Sequence, residues 1–303
     1  MAPTTPAWLG PFFALAGACP PVARMLRPAA CAVVPLASPT VRGAIRKNSL
    51  RIFGRELAPA EQRRFARRVI GSFYDFVLDV GRASRMSAEE LVGLVEDVEG
   101  LDGYHAARAR RRGAILVTAH FGTFEVGLAA LAREERRVRV VFKRDSVEAF
   151  ERLRARLHDS LGIIETPIDD GVGAWLALRE ALLNDEVIVM QGDRAVRGQK
   201  SEVVPFLHGH VRLPTGPVRL AQLTGAPIIP VFALPSGRGG HRVLLKPAIE
   251  AGGGNATGFD RNPGPSVALR ALADAIAEVV AAYPHQWLAL DTVFHEDSDD
   301  ADR

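Results

Sequence analysis

The segment His120-Phe-Gly-Thr-Phe-Glu125 sets an imidazole and a carboxylate on either side of a glycine, directly after the apolar run Ile115-Leu-Val-Thr-Ala119. A histidine there emerges at the carboxyl end of a buried strand. An imidazole titrates near neutrality, so it can take the proton of a hydroxyl that attacks a carbonyl and hand it to the leaving group. A carboxylate on the far ring nitrogen would fix the tautomer and stabilise the imidazolium. Five residues of continuous helix would turn Glu125 about 140° away from His120. The two therefore meet only if the chain turns at Gly122, with Thr123 as helix cap and Glu125 in the first helical turn, where the helix dipole also favours a carboxylate. The same six residues also suit a histidine that satisfies a buried backbone group and a glutamate that merely begins a helix.

Other chemistry finds no support. The chain has no Gly-x-Ser-x-Gly elbow, no His-Glu-x-x-His, and no Gly-x-Gly-x-x-Gly after a strand. Its two cysteines, Cys19 and Cys31, lie in an apolar N-terminal segment without a nearby histidine, which excludes a zinc ribbon, a disulfide framework and a cysteine nucleophile. No metal and no cofactor is expected.

The elements that must position His120 follow from periodicity. Phe65, Val69, Phe73, Val77 and Val80 recur at three and four residues, which predicts a long helix between Pro59 and Met86 with arginines on another side. A short acidic helix starts at Ser87 with a capping box to Glu90. Beyond Gly113, short apolar runs alternate with amphipathic stretches. Strands are expected at 114–118, 138–142, 162–165, 187–190, 228–232 and 242–245. Helices are expected after His120 to about Arg133, over 146–161, 171–183 and 217–223, and finally from Ser266 to Tyr283. This is an α/β pattern, a largely parallel mixed sheet flanked by helices, in which ligands sit beyond the carboxyl ends of the strands. Residues 251–265 read as a surface loop and the acidic tail 291–303 as disordered.

The chain has 303 residues, 48% hydrophobic and 24% charged, enough for a sizeable core. Its net charge is only +3, yet the arginines cluster, at 63, 64, 67 and 68 and again at 108, 110, 111 and 112. Such clusters are ordinarily solvated helix faces, and they also suit anionic lipid headgroups or nucleic acid. Nucleic acid is disfavoured, because no recognition module and no interleaved aromatics accompany them. The apolar runs Trp8–Ala18 and Ala29–Ala37 fall short of the roughly 20 residues that span a bilayer. We read residues 1–58 as a helical, membrane-associating preface lying in the interface, with a buried helical cap as the alternative. Residues 59–290 form the main domain.

Several blocks together resemble the lysophospholipid acyltransferase superfamily, and within it the bacterial lipid A late (lauroyl/myristoyl) acyltransferases. These are His120-x4-Glu125, Val141-Phe-Lys-Arg-Asp145, Gly192-Asp-Arg194 with Val204-Pro-Phe-Leu-His-Gly209, Thr215-Gly-Pro217 with Gly225-Ala-Pro-Ile-Ile-Pro-Val-Phe232, and Pro284-His-Gln-Trp287. The resemblance covers roughly residues 100–290. It departs at the end, where Leu288-Ala-Leu-Asp291 replaces basic residues. It implies a glycerol-3-phosphate acyltransferase-like fold and direct transfer of a fatty acyl group to a lipid hydroxyl. The donor would be a thioester of acyl carrier protein or coenzyme A, and the place the cytoplasmic face of the inner membrane. His120 and Glu125 would be catalytic. Arg194, with Asp193, Lys143, Arg144, Thr215 and Gly216, would bind substrate, Arg194 gripping a phosphate; an ion pair of Arg194 with Asp193 or Glu202 is the structural alternative. Phe206 and Leu207 would line the acyl track, with plain core packing as their alternative. A non-catalytic lipid-binding protein of the same fold is the rival reading, which a transfer assay separates.

Overall fold

In the computed structural model of the chain, the residues described are 11, 15–16, 18–122, 124–144, 148–195, 198–236, 239–252 and 266–295. Helices α1 (Pro20–Ala37), α2 (Pro39–Phe53), α3 (Pro59–Ala83) and the short α4 (Ala88–Val92) come first. The sheet then begins with β1 (Val95–Glu99), α5 (Leu101–Arg108), β2 (Ala114–Thr118), α6 (Phe124–Glu134), β3 (Val138–Phe142), α7 (Glu148–Ser160), β4 (Ile164–Pro167), α8 (Val172–Leu183) and β5 (Val187–Gln191). A hairpin, β6 (Ser201–Phe206) and β7 (Gly209–Pro214), precedes α9 (Gly216–Thr224), β8 (Ile228–Pro235), β9 (His241–Leu245) and α10 (Val267–Ala282).

Seven strands form one sheet in the order β1-β9-β8-β2-β5-β3-β4. Every pair is parallel except β8 with β9. The expected mixed, largely parallel sheet flanked by helices is what forms. All five residues of β2 are buried, as are the first four of β5. A run apolar on both faces belongs in the middle of a covered sheet, and these two strands lie side by side there. Successive side chains of β2 alternate faces. Ile115 and Val117 pack in the larger core with α8, α9 and α10, while Leu116 packs in the second core with α5 and α6.

Helix α3 presents Phe65, Val69, Val77 and Val80 inward, as its periodicity requires, and leaves Arg63, Arg64, Arg67 and Arg68 exposed. Ser87 caps α4 through the amide of Glu90, as the sequence predicts. Pro20 and Pro21, between the two apolar runs, open α1, since proline in a first helical turn forfeits no hydrogen bond. Ala23, Cys31 and Pro35 of α1 turn inward, and Tyr74 of α3 donates to the Ala23 carbonyl. No helix among the described residues is long and apolar enough to cross a membrane.

Three elements escape the periodicity reading. Strand β1 is an edge strand with a half-exposed, acidic sequence, and α5 is a short helix within the basic run. The hairpin β6–β7 turns at Leu207 and His208 without a glycine at the turn, Leu207 taking a positive φ of 51°. The strand expected at 162–165 lies at Ile164–Pro167. Thr123, most of Trp8–Ala18, most of the 251–265 loop and the end of the acidic tail lie outside the described residues.

Candidate active site

Strands β2 and β5 pair in register Thr118 with Gln191. Each chain continues two residues beyond that pair, one to His120 and the other to Asp193, so equal offsets from a parallel register bring these side chains together. The His120 Nδ1 lies 2.7 Å from Asp193 Oδ1. The close approach rests on Gly192, whose amide donates to the Thr118 carbonyl and whose position would drive a Cβ to within 2.5 Å of Val117. Gly122 makes the turn after His120, at φ +45°, and a Cβ there would stand 2.4 Å from the Ala233 carbonyl oxygen. A side chain fits neither place.

The carboxylate on His120 is thus Asp193, not the Glu125 that the six-residue pattern suggests. Helix α6 does start at Phe124, with Glu125 in its first turn. The Glu125 carboxyl, however, is only 3% exposed, is influenced by Asp79 of α3 and Arg154 of α7, and leaves Oε2 without a hydrogen-bond partner. A short turn sends the first helical residues back over the sheet, whereas the neighbouring strand end already stands beside the imidazole. Burial pushes the Glu125 carboxyl up to about 7, Asp79 adding to it against a backbone amide and Arg154.

That shift has a signed consequence. Because folded Glu125 holds its proton more tightly than the ordinary carboxylate at 4.5, its contribution favours the folded state at low pH and is lost as pH rises towards 7. The Glu125→Gln protein should therefore lose less stability than the wild type between pH 5 and 8, by about 2 to 3 kcal/mol in urea melts. Parallel pH profiles of the two proteins would contradict this account of the glutamate.

Asp193 is enclosed, its side chain wholly inaccessible. Oδ1 meets His120, and Oδ2 accepts from Trp287 Nε1 at 2.8 Å and from Arg194 Nη2 at 3.2 Å. Burial alone would raise its pKa, but the charges of His120 and Arg194 and hydrogen bonds from His120 and Trp287 outweigh burial and hold the carboxyl well below its ordinary range. The expectation that Asp193 touches substrate is corrected by this enclosure. Arg194, expected to grip a phosphate, also donates to the Leu288 carbonyl, at 3.3 Å. It takes the ion-pair alternative, because its guanidinium balances a buried aspartate beside it. The His120 side chain remains 34% exposed. With Nδ1 engaged, Nε2 is the nitrogen left for a proton from solvent or substrate.

The C-terminal segment closes this arrangement. The Leu288 amide donates to the His120 carbonyl, Phe121 bridges Trp287, and Trp287 reaches Asp193. Phe206, expected along an acyl track, is buried against Trp287 and Phe294. It belongs to the core.

Two cavities lie in the elements around the sheet, neither lined by His120 or Asp193 themselves. One of about 440 Å³, mostly apolar, lies between α6 and the sheet, walled by Leu116, Thr118, Phe124, Gly127, Val189 and Val231. The other, about 580 Å³, lies towards β3 and β4 and gathers Lys143, Thr215 and Gly216 with Trp175, Lys200 and Arg219. Thr215 and Gly216 serve that wall structurally. The Thr215 hydroxyl donates to the Lys200 carbonyl, and the Trp175 ring fills the space a Cβ at Gly216 would need. Arg144 is drawn aside, its amide to Asp169 and its guanidinium to Asp170. Among the described residues no cluster of three His, Cys, Asp or Glu side chains could hold a metal ion.

The sequence profile of the family described as bacterial lipid A biosynthesis acyltransferase matches residues 3–296. A phosphatidylinositol mannoside acyltransferase of Mycobacterium tuberculosis (strain CDC 1551 / Oshkosh) is 27% identical over 256 residues, 78% of this chain and 77% of that protein. One of Mycolicibacterium smegmatis is 27% identical over 261 residues, 86% of this chain and 81% of its own. The chain is similar to both along most of its length.

Proposed function

The chain belongs to the bacterial lipid A biosynthesis acyltransferase family and is a lipid acyltransferase, and from that premise we propose that it carries a fatty acyl group from a thioester to a lipid hydroxyl through His120 and Asp193. The observation that supports this reading best is the 2.7 Å contact between His120 and Asp193 beside an apolar cavity. In the proposed reaction the acceptor O–H gives its proton to His120 Nε2 as its oxygen attacks the thioester carbonyl. The tetrahedral intermediate then expels the thiolate, which takes the proton from the imidazolium. Asp193 keeps the proton on Nδ1 and offsets the transient positive charge. No covalent enzyme intermediate is needed.

The 440 Å³ cavity suits the acyl tail. It begins at Thr118 and Phe124, residues on either side of His120, so a tail threaded beneath α6 leaves its carbonyl at the imidazole. The carrier of the thioester, acyl carrier protein or coenzyme A, is assigned to the opposite cavity. Lys143, Lys200 and Arg219 there complement phosphate and Trp175 offers an apolar wall. Arg144 and Arg194 are left to structural pairs. Glu125 keeps a role as a positioning residue, fixing the start of α6 behind the turn that carries His120. For the acceptor, likeness to proteins named for phosphatidylinositol mannoside supports a glycosylated phospholipid or related glycolipid, lipid A-type included. Lipid mass spectrometry of cells with and without the chain tests this. Loss of a species heavier by one acyl chain is expected, and an unchanged lipid profile together with no transfer by the purified protein would favour the non-catalytic lipid-binding reading.

Helix α1 supplies the membrane contact in this reading. Val22, Met25, Leu26, Val33 and Leu36 are exposed along one face, opposite the residues it buries on α3, and an exposed apolar helical face suits the membrane interface. We place the protein at the cytoplasmic face of the inner membrane as a peripheral enzyme. It should sediment with vesicles containing phosphatidylglycerol, and Met25→Glu/Leu36→Glu should weaken this by about tenfold, since two apolar contacts become charges. Sedimentation unaffected by that pair would move the anchor elsewhere.

A further inference from the structure

An open cavity of about 430 Å³ between α1 and α3 is lined by Arg27, Arg63, Arg64, Arg67 and Arg68, with Cys31 at its floor. Five guanidinium groups around one space repel one another. Pairs four apart on a helix, such as Arg63 with Arg67 and Arg64 with Arg68, each cost a few tenths of a kcal/mol when alike in charge. Arg27 is held by Asp75 through bidentate contacts of 2.6 and 2.7 Å, and Arg68 by His285 at 3.1 Å. Among the described residues, Arg63, Arg64 and Arg67 have no carboxylate within ion-pair distance. The local excess of positive charge is therefore uncompensated in a chain whose net charge is only +3.

The cavity is also built rather than incidental. Gly71 of α3 makes room for the Arg27 guanidinium, since a Cβ there would stand 2.8 Å from its Nη2. Arg27 and Arg68 then form a wall shared with a second cavity of about 230 Å³, lined also by Asp75, Asp79, Gly122, Pro235 and His285; its two carboxylates leave the phosphate to the arginine side. Gly122 is two residues from His120. Arg27 and Arg68 thus stand between the arginine cavity and one that reaches Gly122, close in the chain to the proposed catalytic pair. The arginine cavity also adjoins the helix whose apolar face is exposed. A molecule that enters from a membrane with a phosphate on its head would meet the arginines first, with its hydroxyl turned towards the Gly122 side.

We propose that the arginine-lined cavity between α1 and α3 binds the phosphate of the acceptor lipid's head, so that its hydroxyl reaches His120 past Gly122. The inference rests on the reading of the chain as a transferase to phosphorylated lipids and adds the site that selects them. Arginine suits it because a guanidinium grips two phosphate oxygens, and several around one phosphate exclude neutral heads.

The probe is dihexanoyl phosphatidate below its micelle concentration, titrated calorimetrically into the full chain, with dihexanoylglycerol and inorganic phosphate as comparisons. Wild type should bind the phosphatidate at least about tenfold more tightly than either comparison, and Arg64→Glu/Arg67→Glu should weaken that binding by about tenfold to a hundredfold. Arg64→Gln/Arg67→Gln, which removes charge without reversing it, should weaken it in the same direction and serves if the reversed variant melts early. Equal binding of phosphatidate by wild type and the glutamine variant would overturn the site, and so would inorganic phosphate binding as tightly as the lipid. The His120→Ala protein should bind phosphatidate like wild type. Phosphatidate binding without acyl transfer by wild type would therefore sink the enzymatic reading alone, whereas transfer without such binding would sink only this site.

Discussion

Asp193→Asn is expected to lower the rate of acyl transfer by about 10³ to 10⁴-fold while leaving the affinity for donor and acceptor nearly unchanged, because removing the negative charge behind a catalytic imidazole affects the transition state and not the bound substrates. The substitution is nearly isosteric, and with its oxygen at the Oδ2 place the amide can still accept from Trp287. What it does to His120 depends on the amide's orientation. An amide nitrogen turned towards Nδ1 would force the proton onto Nε2, where it blocks acceptance from a hydroxyl. The opposite orientation keeps the tautomer but offers no charge to the imidazolium, and it sets an amide NH2 against the Trp287 N–H and the Arg194 guanidinium, which both donate at that position. Either way Arg194 loses its counter-ion, so a lower melting temperature should accompany the kinetic loss. The telling comparison is with Glu125→Gln, measured with the same donor and acceptor. If the glutamine variant proved the more damaged in turnover at equal folding, Glu125 and not Asp193 would be the carboxylate that serves His120.

Alanine at His120 should cost transfer about 10² to 10⁴-fold, entirely in kcat, since a general base acts on the proton in flight and contributes little to holding either substrate. Residual transfer would reflect proximity alone. The side chain is partly exposed and, among the described residues, hydrogen-bonds only Asp193, so the fold should survive. Asp193 retains Trp287 and Arg194, and the stability lost by exposing one oxygen should be about 1 to 3 kcal/mol. Single-turnover measurements separate the chemical step from product release. Near-wild-type turnover of a verified acceptor by His120→Ala would remove the imidazole from the mechanism.

Much of the framework was legible because burial on both faces leaves a plain signature. The runs at 114–118, 187–190 and 228–232 are apolar but for Thr118, and they are the three adjacent strands at the centre of the sheet. The turn at Gly122 could be inferred from geometry, since His120 at a strand end and Glu125 at a helix start demand it. The partner of His120 could not be read from a local pattern. Asp193 is 73 residues away, and its approach depends on which strands are neighbours and in what register, neither of which periodicity fixes. A signal did exist: both strands are followed by a small residue and then a polar one, Ala119-His120 and Gly192-Asp193. Only adjacency gives that coincidence meaning. Strand β1, Val-Glu-Asp-Val-Glu, was hidden for a different reason, because an edge strand needs few apolar residues and charge there discourages further pairing. The hairpin was obscured by Pro205 and by a turn on Leu207 and His208, residues that seldom mark one.

The strap formed by Trp287 and Leu288 also bears on the order of events during folding. Its contacts to Asp193 and Arg194 each span 94 residues, and that to His120 reaches further still. Asn48 of α2 pins the same stretch, donating to the carbonyls of Ala289 and Asp291 and accepting from the Val293 amide. Such distant closures are made late, after the strands have paired, because the entropy of closing a long loop is lost before any contact repays it. During folding the sheet would therefore form before Trp287 and Leu288 lock Asp193 and His120 in place. On the proposed reading, a transient loosening of the strap, far smaller than global unfolding, would release Asp193 and His120 from their set positions and lower turnover while the sheet stays folded.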